Sequence, residues 1–319
     1  MTSYPCTFFA NIDGLILPEN FDDLEIKTGY YLSSSGKKLK NIISNDISTI
    51  IGNYNTFNFF DNKCFIRYDN LLAEPETKGG SYLRDFFSVN IFFCQTLWLC
   101  KDNSVIPELG YLKFFSESLL KVQAFNTNTI YSNYKGSFED CQFTLDELNK
   151  AVEYFPVLMK LSSAKELNPY TNLSSNGNRI ARAMLFIQSA RLSPDLGSKV
   201  AYYCSSFESL FSISSAELKH RLSETIAFFL ESENLLPREV YENLKLAYDL
   251  RSSVVHGSII SKRFTRNDFE LLIKTVGNCD NYARLIIKKI MSDPNLIEIY
   301  RNGKSEDLNT QLIELIFKK

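Results

Sequence analysis

The stretch Tyr248-Asp249-Leu250-Arg251-Ser252-Ser253-Val254-Val255-His256-Gly257 closes one helical pattern and opens a loop. Upstream of it, Pro237 suits the first turn of a helix, and Val240, Leu244, Ala247 and Val254 recur at helical spacing. Gly257 is the residue type favoured just past a helix C-terminus, where a positive φ is needed. Arg251 and His256 are five positions apart, so on a straight helix they diverge by roughly 140°. They converge only where the helix ends or bends, and Gly257 supplies that end. His256 then stands in the last turn, where the helix dipole favours a cationic side chain. A guanidinium holds phosphate oxygens while an imidazole moves a proton, so the pair suits a phosphodiester.

The helical pattern extends in both directions. It begins near Thr144 with a helix over Leu145–Leu161, followed by a polar loop over Asn168–Asn178 and a helix over Arg179–Arg191. Ser193-Pro194-Asp195 is a start signal for a third helix, on which Val200, Cys204, Phe207, Leu210 and Phe211 share a face. Ser214 or Ser215 can cap the next, with Leu218, Leu222, Thr225, Ile226 and Phe229. Beyond Gly257, Thr265 precedes a long helix bearing Phe269, Leu272, Ile273, Val276, Ala283, Ile286 and Ile290, which Pro294 ends. An amphipathic segment over Ser305–Phe317 follows. One apolar face per helix predicts a bundle.

The first part of the chain reads differently. Short aromatic and β-branched runs recur over Cys6–Ile12, Leu24–Leu32, Lys63–Tyr68, Val89–Leu99 and Thr129–Tyr134. Turn clusters such as Ser33-Ser34-Ser35-Gly36 and Gly79-Gly80 separate them. The expected fold class is therefore α+β: a β-rich module over residues 1–143, a small sheet or sandwich-like unit for sensing or recognition, then an all-α bundle over 144–319. The 319 residues, about twice the usual length of one domain, agree with two.

Composition is globular, with 45% hydrophobic and 23% charged residues. The net charge of −2 excludes a global polycation for duplex nucleic acid, so any nucleic-acid site is local. Residues 1–150 carry a net −5 and residues 151–319 a net +3, which places the basic half at the C-terminal side. Lys27 is the first basic residue, so no charged leader segment of a secretory signal is expected. The most apolar run, Ser88–Cys100, is interrupted by Asn90 and Gln95 and is too short for a membrane span. Seven cysteines without CxxC pairing suggest reduced thiols and a cytoplasmic protein. His220 and His256 are the only histidines, which excludes a multi-histidine metal centre within one subunit; no cofactor and no metal are expected.

The segment Tyr248-x-x-Arg251-Ser252-x-x-Val255-His256-Gly257 resembles the R-x4–6-H motif of HEPN domains, and is most similar to their Apea-like branch. The likeness extends to Ser206-Phe207-Glu208-Ser209-Leu210-Phe211 and to Glu217–Leu230, so it spans roughly residues 195–290 and leaves 1–140 uncovered. It implies an all-α bundle that dimerises and sets two Arg/His pairs at the shared interface. It further implies a metal-independent endoribonuclease acting on single-stranded RNA or tRNA and leaving a 2′,3′-cyclic phosphate. The setting it implies is bacterial anti-phage defence, abortive infection or a toxin, with an antitoxin or a phage-derived trigger as a further partner. By position, Arg251 and His256 match the catalytic pair. Glu208 matches a supporting polar residue, and Tyr248, Ser252 and Gly257 flank the pair; Ser252 stands where the family often carries Asn, Asp or His. Cleavage by a 2′-hydroxyl needs a base, an acid and charge stabilisation, and it requires RNA because DNA lacks the nucleophile. Lys262, Arg263 and Arg266 follow closely and could guide an RNA backbone.

Plainer readings stand beside these. Arg251 could pair with Asp249 or Glu208 and His256 could bond a terminal carbonyl. With Ser252 departing from the family pattern, the alternative is a non-catalytic HEPN-type dimerising scaffold or a module that binds a nucleotide or partner protein. His220, in Leu218-Lys219-His220-Arg221-Leu222, suits a solvated helix face. Asp69, Glu76 and Lys78 faintly echo a metal-dependent nuclease, with Pro75 against the required strand. Lys37-Lys38-Leu39-Lys40 suits an exposed face, and the 25 Phe and 17 Tyr fall on apolar stripes that suit a core.

Overall fold

The computed structural model describes residues 4–18, 21–62, 64–126, 130–162, 178–212, 218–302 and 305–317. The chain divides into two units, Met1–Tyr131 with Phe138–Phe155, and Ser132–Ser137 with Pro156–Lys319. The first has an antiparallel sheet at its centre and the second is helical, so the class is α+β.

The first unit runs β1 (Tyr4–Asp13), β2 (Leu15–Ile16), β3 (Leu24–Lys27), β4 (Tyr30–Ser33), α1 (Gly36–Ile42), α2 (Asn45–Ile51), α3 (Asn53–Asn62), β5 (Phe65–Ala73), α4 (Pro75–Cys100), β6 (Ile106–Ser116), β7 (Leu119–Asn126) and β8 (Cys141–Gln142). Among the described residues six strands form one sheet in the order β3-β4-β5-β1-β6-β7, every pair antiparallel. Successive side chains of a strand point to opposite faces. Phe9 therefore packs with Phe59, Tyr111 and the residues of α1 to α3, while Phe8 stacks on Phe86 of α4 at 5.2 Å on the other side. Helices cover both faces, which is why β1 is buried almost without alternation. Phe87 of α4 crosses Gly110 of β6 so closely that a Cβ there would sit 2.5 Å from its ring.

Two expected strands are absent. Val89–Leu99 lies inside the 26-residue α4, and the pair Gly79-Gly80 is helix rather than turn. Nearly every side chain from Val89 to Leu99 is buried, so the run carries neither a helical stripe nor an alternation, and its β-branched and aromatic content misleads. Gly79 is where Gln123 of β7 passes the helix, its Nε2 donating to the Pro75 carbonyl at 2.9 Å. Ile130–Tyr134 forms no strand, and Thr129 lies outside the described residues. Ser132 instead donates its backbone N–H to the Arg191 carbonyl at 2.7 Å, within the second unit. β2 and β8 pair separately in parallel, and the six-stranded sheet covered by helices on both faces replaces the sandwich-like alternative.

Next comes α5 (Leu145–Ser162), and the division into units falls inside it, between Phe155 and Pro156. Thr144 and Glu147 form a reciprocal capping box, Thr144 N–H to Glu147 Oε2 at 2.8 Å and Glu147 N–H to Thr144 Oγ1 at 3.3 Å. The second unit then contains α6 (Arg179–Leu192), α7 (Leu196–Phe211), α8 (Leu218–Phe229), α9 (Pro237–Val255), α10 (Lys262–Thr265), α11 (Glu270–Ser292), α12 (Pro294–Asn302) and α13 (Ser305–Phe317). The expected loop over Asn168–Asn178 falls almost wholly outside the described residues, as do Ser214 and Ser215. Asn178 itself caps α6, accepting from the Ala181 N–H at 2.6 Å, and Asp195 caps α7, accepting from Ser198 N–H at 2.7 Å. The long helix starts at Glu270, not just after Thr265, because Asn267, Asp268 and Phe269 all take the left-handed conformation. Pro294 opens α12 rather than ending α11, a position where its missing N–H is not needed. At the core of the unit, Val200, Cys204 and Phe207 of α7 are buried with Val276, Cys279 and Ile286 of α11. Tyr203 donates to Asp280 Oδ1 at 2.7 Å, and Arg284 pairs with the same carboxylate.

Candidate functional site

α9 carries the site. Its start is set by Pro237 in the first turn and its inner face by Val240, Leu244, Ala247, Tyr248 and Leu250, all buried. Its end is set by Gly257, whose φ of +68° lies in the left-handed region; no atom lies within 4 Å of where a Cβ would stand, so the backbone and not crowding requires the glycine. His256 is the C-cap, its N–H donating to the Ser252 carbonyl at 3.1 Å. α7 approaches this end closely, since a Cβ on Gly197 would lie 3.0 Å from Val254 Cγ2.

Arg251 points to α7. Its Nη2 lies 3.3 Å from both oxygens of Glu208 and donates to Oε2. Both side chains are half-buried. Burial raises the Glu208 carboxyl above its ordinary range, and the Arg251 charge opposes that rise without cancelling it. The same neighbourhood holds Tyr248, buried and with its hydroxyl unpartnered among the described residues. Burial pushes that phenol well up, and the Cys204 and Glu208 beside it act in the same direction. Cys204 is likewise pushed up by burial, then by Cys279 and Glu208, with Arg251 opposing.

The structure thus brings Glu208, Tyr248 and Arg251 together and leaves His256 apart from them. The His256 side chain is exposed and makes no hydrogen bond among the described residues. Ser252 is exposed as well. Of the two carboxylates that could pair with Arg251, Glu208 is the one used. Asp249 instead receives Lys219 of α8 and, at 3.0 Å, Arg263 of α10. Burial alone would raise its pKa, yet the hydrogen bonds from Lys219 and Arg263 outweigh it and the carboxyl lies below its ordinary value. Arg263 is therefore engaged as a clamp, whereas the side chains of Lys262 and Arg266 are exposed without an ion pair among the described residues.

Asp69 pairs with Arg67, Glu76 with Lys121 and Ser116 at 2.6 Å each, and Lys78 with Glu74 at 2.9 Å. These residues are committed to separate partners. Among the described residues no group of three or more His, Cys, Asp or Glu is placed to hold a metal ion. Lys38 joins Asp22 and Asp23 at 2.6 Å each, while Lys37 and Lys40 are exposed. None of the seven cysteines is in a disulfide. No helix of the described residues is long and apolar enough to cross a membrane.

One feature escaped the sequence reading. His220 stacks edge-on against Tyr241 at 5.5 Å, and both line a cavity of about 250 Å³ between α8 and α9. Its sequence signal was the spacing of His220, Glu224 and Ala227, which puts all three on one face of α8. The partner wall from α9 becomes visible only once the helices pack. No family model, curated protein or solved structure matches this chain.

Proposed function

We propose that the helical unit is a metal-independent endoribonuclease of the HEPN type, built on Arg251 and His256. The observation that carries this reading is an Arg side chain fixed by Glu208 on the same helix whose exposed last turn presents a histidine. In the reaction, a base removes the proton of a 2′-hydroxyl, whose oxygen attacks the adjacent phosphorus. The bond from phosphorus to the 5′-oxygen breaks, an acid protonates that oxygen, and a 2′,3′-cyclic phosphate is left. Arg251 stabilises the phosphorane and His256 transfers protons. One histidine per chain at this site, His256, meets half of the acid–base requirement, so a two-fold partner supplies the second. Val255 at 56% and Ile259 at 97% exposure flank His256, and apolar side chains so placed favour cover by a second copy. A bacterial defence or toxin role, held in check by an antitoxin or released by a phage-derived trigger, follows the same resemblance.

A second reading, a non-catalytic dimerising scaffold, is favoured by one observation: Arg251 is already occupied by Glu208. Incubating the protein and its His256→Ala variant with total tRNA in EDTA separates the two. Fragments with cyclic-phosphate ends from the parent, reduced about 10²–10⁴-fold in the variant, support the nuclease. Equal cutting by both rejects the role of His256. Cutting by neither supports the scaffold.

A further inference from the structure

The cavity between α8 and α9 is lined by His220, Glu224, Ala227, Phe228, Pro237, Arg238 and Tyr241. At about 250 Å³ it falls just below the roughly 300–1,000 Å³ of usual small-molecule sites, so it suits one ring system rather than a whole cofactor. Its walls are aromatic: the Tyr241 and His220 rings meet at 69°, and Lys245 covers Tyr241 at 4.9 Å. Glu224 and Arg238 line the same space with opposite charges, yet they form no ion pair with each other, and neither has a partner among the described residues. Glu224 is half-exposed and Arg238 exposed, so both remain available to a ligand, and opposite charges on one aromatic cavity suit an occupant that is flat and carries donors on one edge and acceptors on another.

We propose that this cavity binds a guanine base. Guanine presents N1–H and N2–H donors for the Glu224 carboxylate, and its O6 and N7 acceptors match the guanidinium fork of Arg238. The ring packs on Tyr241 and His220, as bases do on aromatic side chains. Adenine fails this pattern because it turns the N1 lone pair towards the carboxylate, leaving an acceptor opposite an acceptor. Tyr241 lies ten positions before Arg251 on α9, about 15 Å along the axis, so the cavity is distinct from the Arg251 site. The base can arrive as a free nucleotide or within an RNA strand.

Calorimetric titration of the full chain with GMP and AMP, and with two short oligoribonucleotides differing by one G-to-A change, tests this. GMP is expected to bind at least about tenfold tighter than AMP. Glu224→Gln, a near-isosteric change at a half-exposed position, is expected to weaken GMP about tenfold and leave AMP unchanged, with an unaltered far-UV circular dichroism spectrum. Arg238→Gln weakens GMP as well. GMP binding shows that the base is captured from a free nucleotide. Guanine- and Glu224-dependent binding of the oligonucleotide alone assigns the site to RNA. Equal GMP and AMP affinity, a guanine preference that survives Glu224→Gln, or no binding of any probe overturns the proposal. The cavity does not depend on the nuclease reading: His256→Ala is expected to bind GMP as the parent does, whatever it does to cleavage.

Discussion

Two carboxylates, Glu208 and Asp249, are each paired with arginine on or beside α9, and they respond to their surroundings in opposite ways. Glu208 faces a single cation, Arg251, in a half-buried setting, and its pKa is raised because burial outweighs the attraction. Asp249 faces two cations, Lys219 and Arg263, at a surface where 41% of its side chain is exposed, and its pKa is lowered because attraction outweighs burial. The first pair holds a guanidinium in place at an energetic cost. The second ties α8, α9 and α10 together with little desolvation. Positioning and stability are thus separated over Arg251 and Asp249 of α9, and the separation can be broken from either side.

The largest effect is expected from Arg251→Ala. It leaves the Glu208 carboxylate half-buried without a cation, a loss of about 2 kcal/mol. Arg251 now counteracts part of the rise in the Glu208 pKa, so its removal raises that pKa further. The unfolded carboxyl titrates near 4.5, and the folded form prefers the proton, so stability falls as pH climbs from there through the raised folded value and is level above it. The variant's deficit should therefore shrink at acid pH, where Glu208 is neutral. Adding Glu208→Gln should recover much of it at neutral pH, and chemical denaturation across a double-mutant cycle measures the recovery. A deficit that does not change with pH would mean that Arg251 acts on stability through packing alone.

Much of α9 was legible because the signals are local: Pro237 begins it, Gly257 ends it, and Asp195 announces α7 before it. The pairing of Arg251 was not. Asp249 is the nearer carboxylate in sequence, but it stands two positions away on the helix and faces another side, whereas Glu208 is brought in from 43 positions away by the packing of α7. The same limit hid the cavity behind Tyr241, whose walls come from two helices. In the first unit the failure was of a different kind. Of the residues of α4 from Val89 to Leu99 all but Ile91 and Phe92 are buried, and a segment with so little solvent face has no period to read.

Gly257→Ala should cost about 1 kcal/mol, from holding a side chain at positive φ where no neighbour interferes. Asn at the same position should cost less, since it tolerates that conformation. Thermal unfolding of both variants checks the order. Because His256 precedes Gly257, loss of cleavage in Gly257→Ala with the Glu208–Arg251 pair intact would mark the helix end, not the ion pair, as the element that places the histidine.

The smallest effect belongs to Asp249. Its ion pairs are exposed and screened, so Asp249→Asn should remove well under about 1 kcal/mol. The sign is opposite to that of Glu208. A carboxyl held below 3.8 in the folded protein contributes stability that is present above that pH and is lost as pH falls through the lower folded value. Parent and Asp249→Asn should therefore differ at neutral pH and converge only in strong acid, while Arg251→Ala converges towards its parent sooner, as pH falls through the raised Glu208 value towards 4.5. Raising salt to about 1 M, where the screening length falls to roughly 3 Å, should erase the Asp249 difference and leave most of the Arg251 one. Equal salt sensitivity of the two would show that Glu208 is as solvated as Asp249, and would remove the reason for treating Arg251 as a positioned group rather than a surface charge.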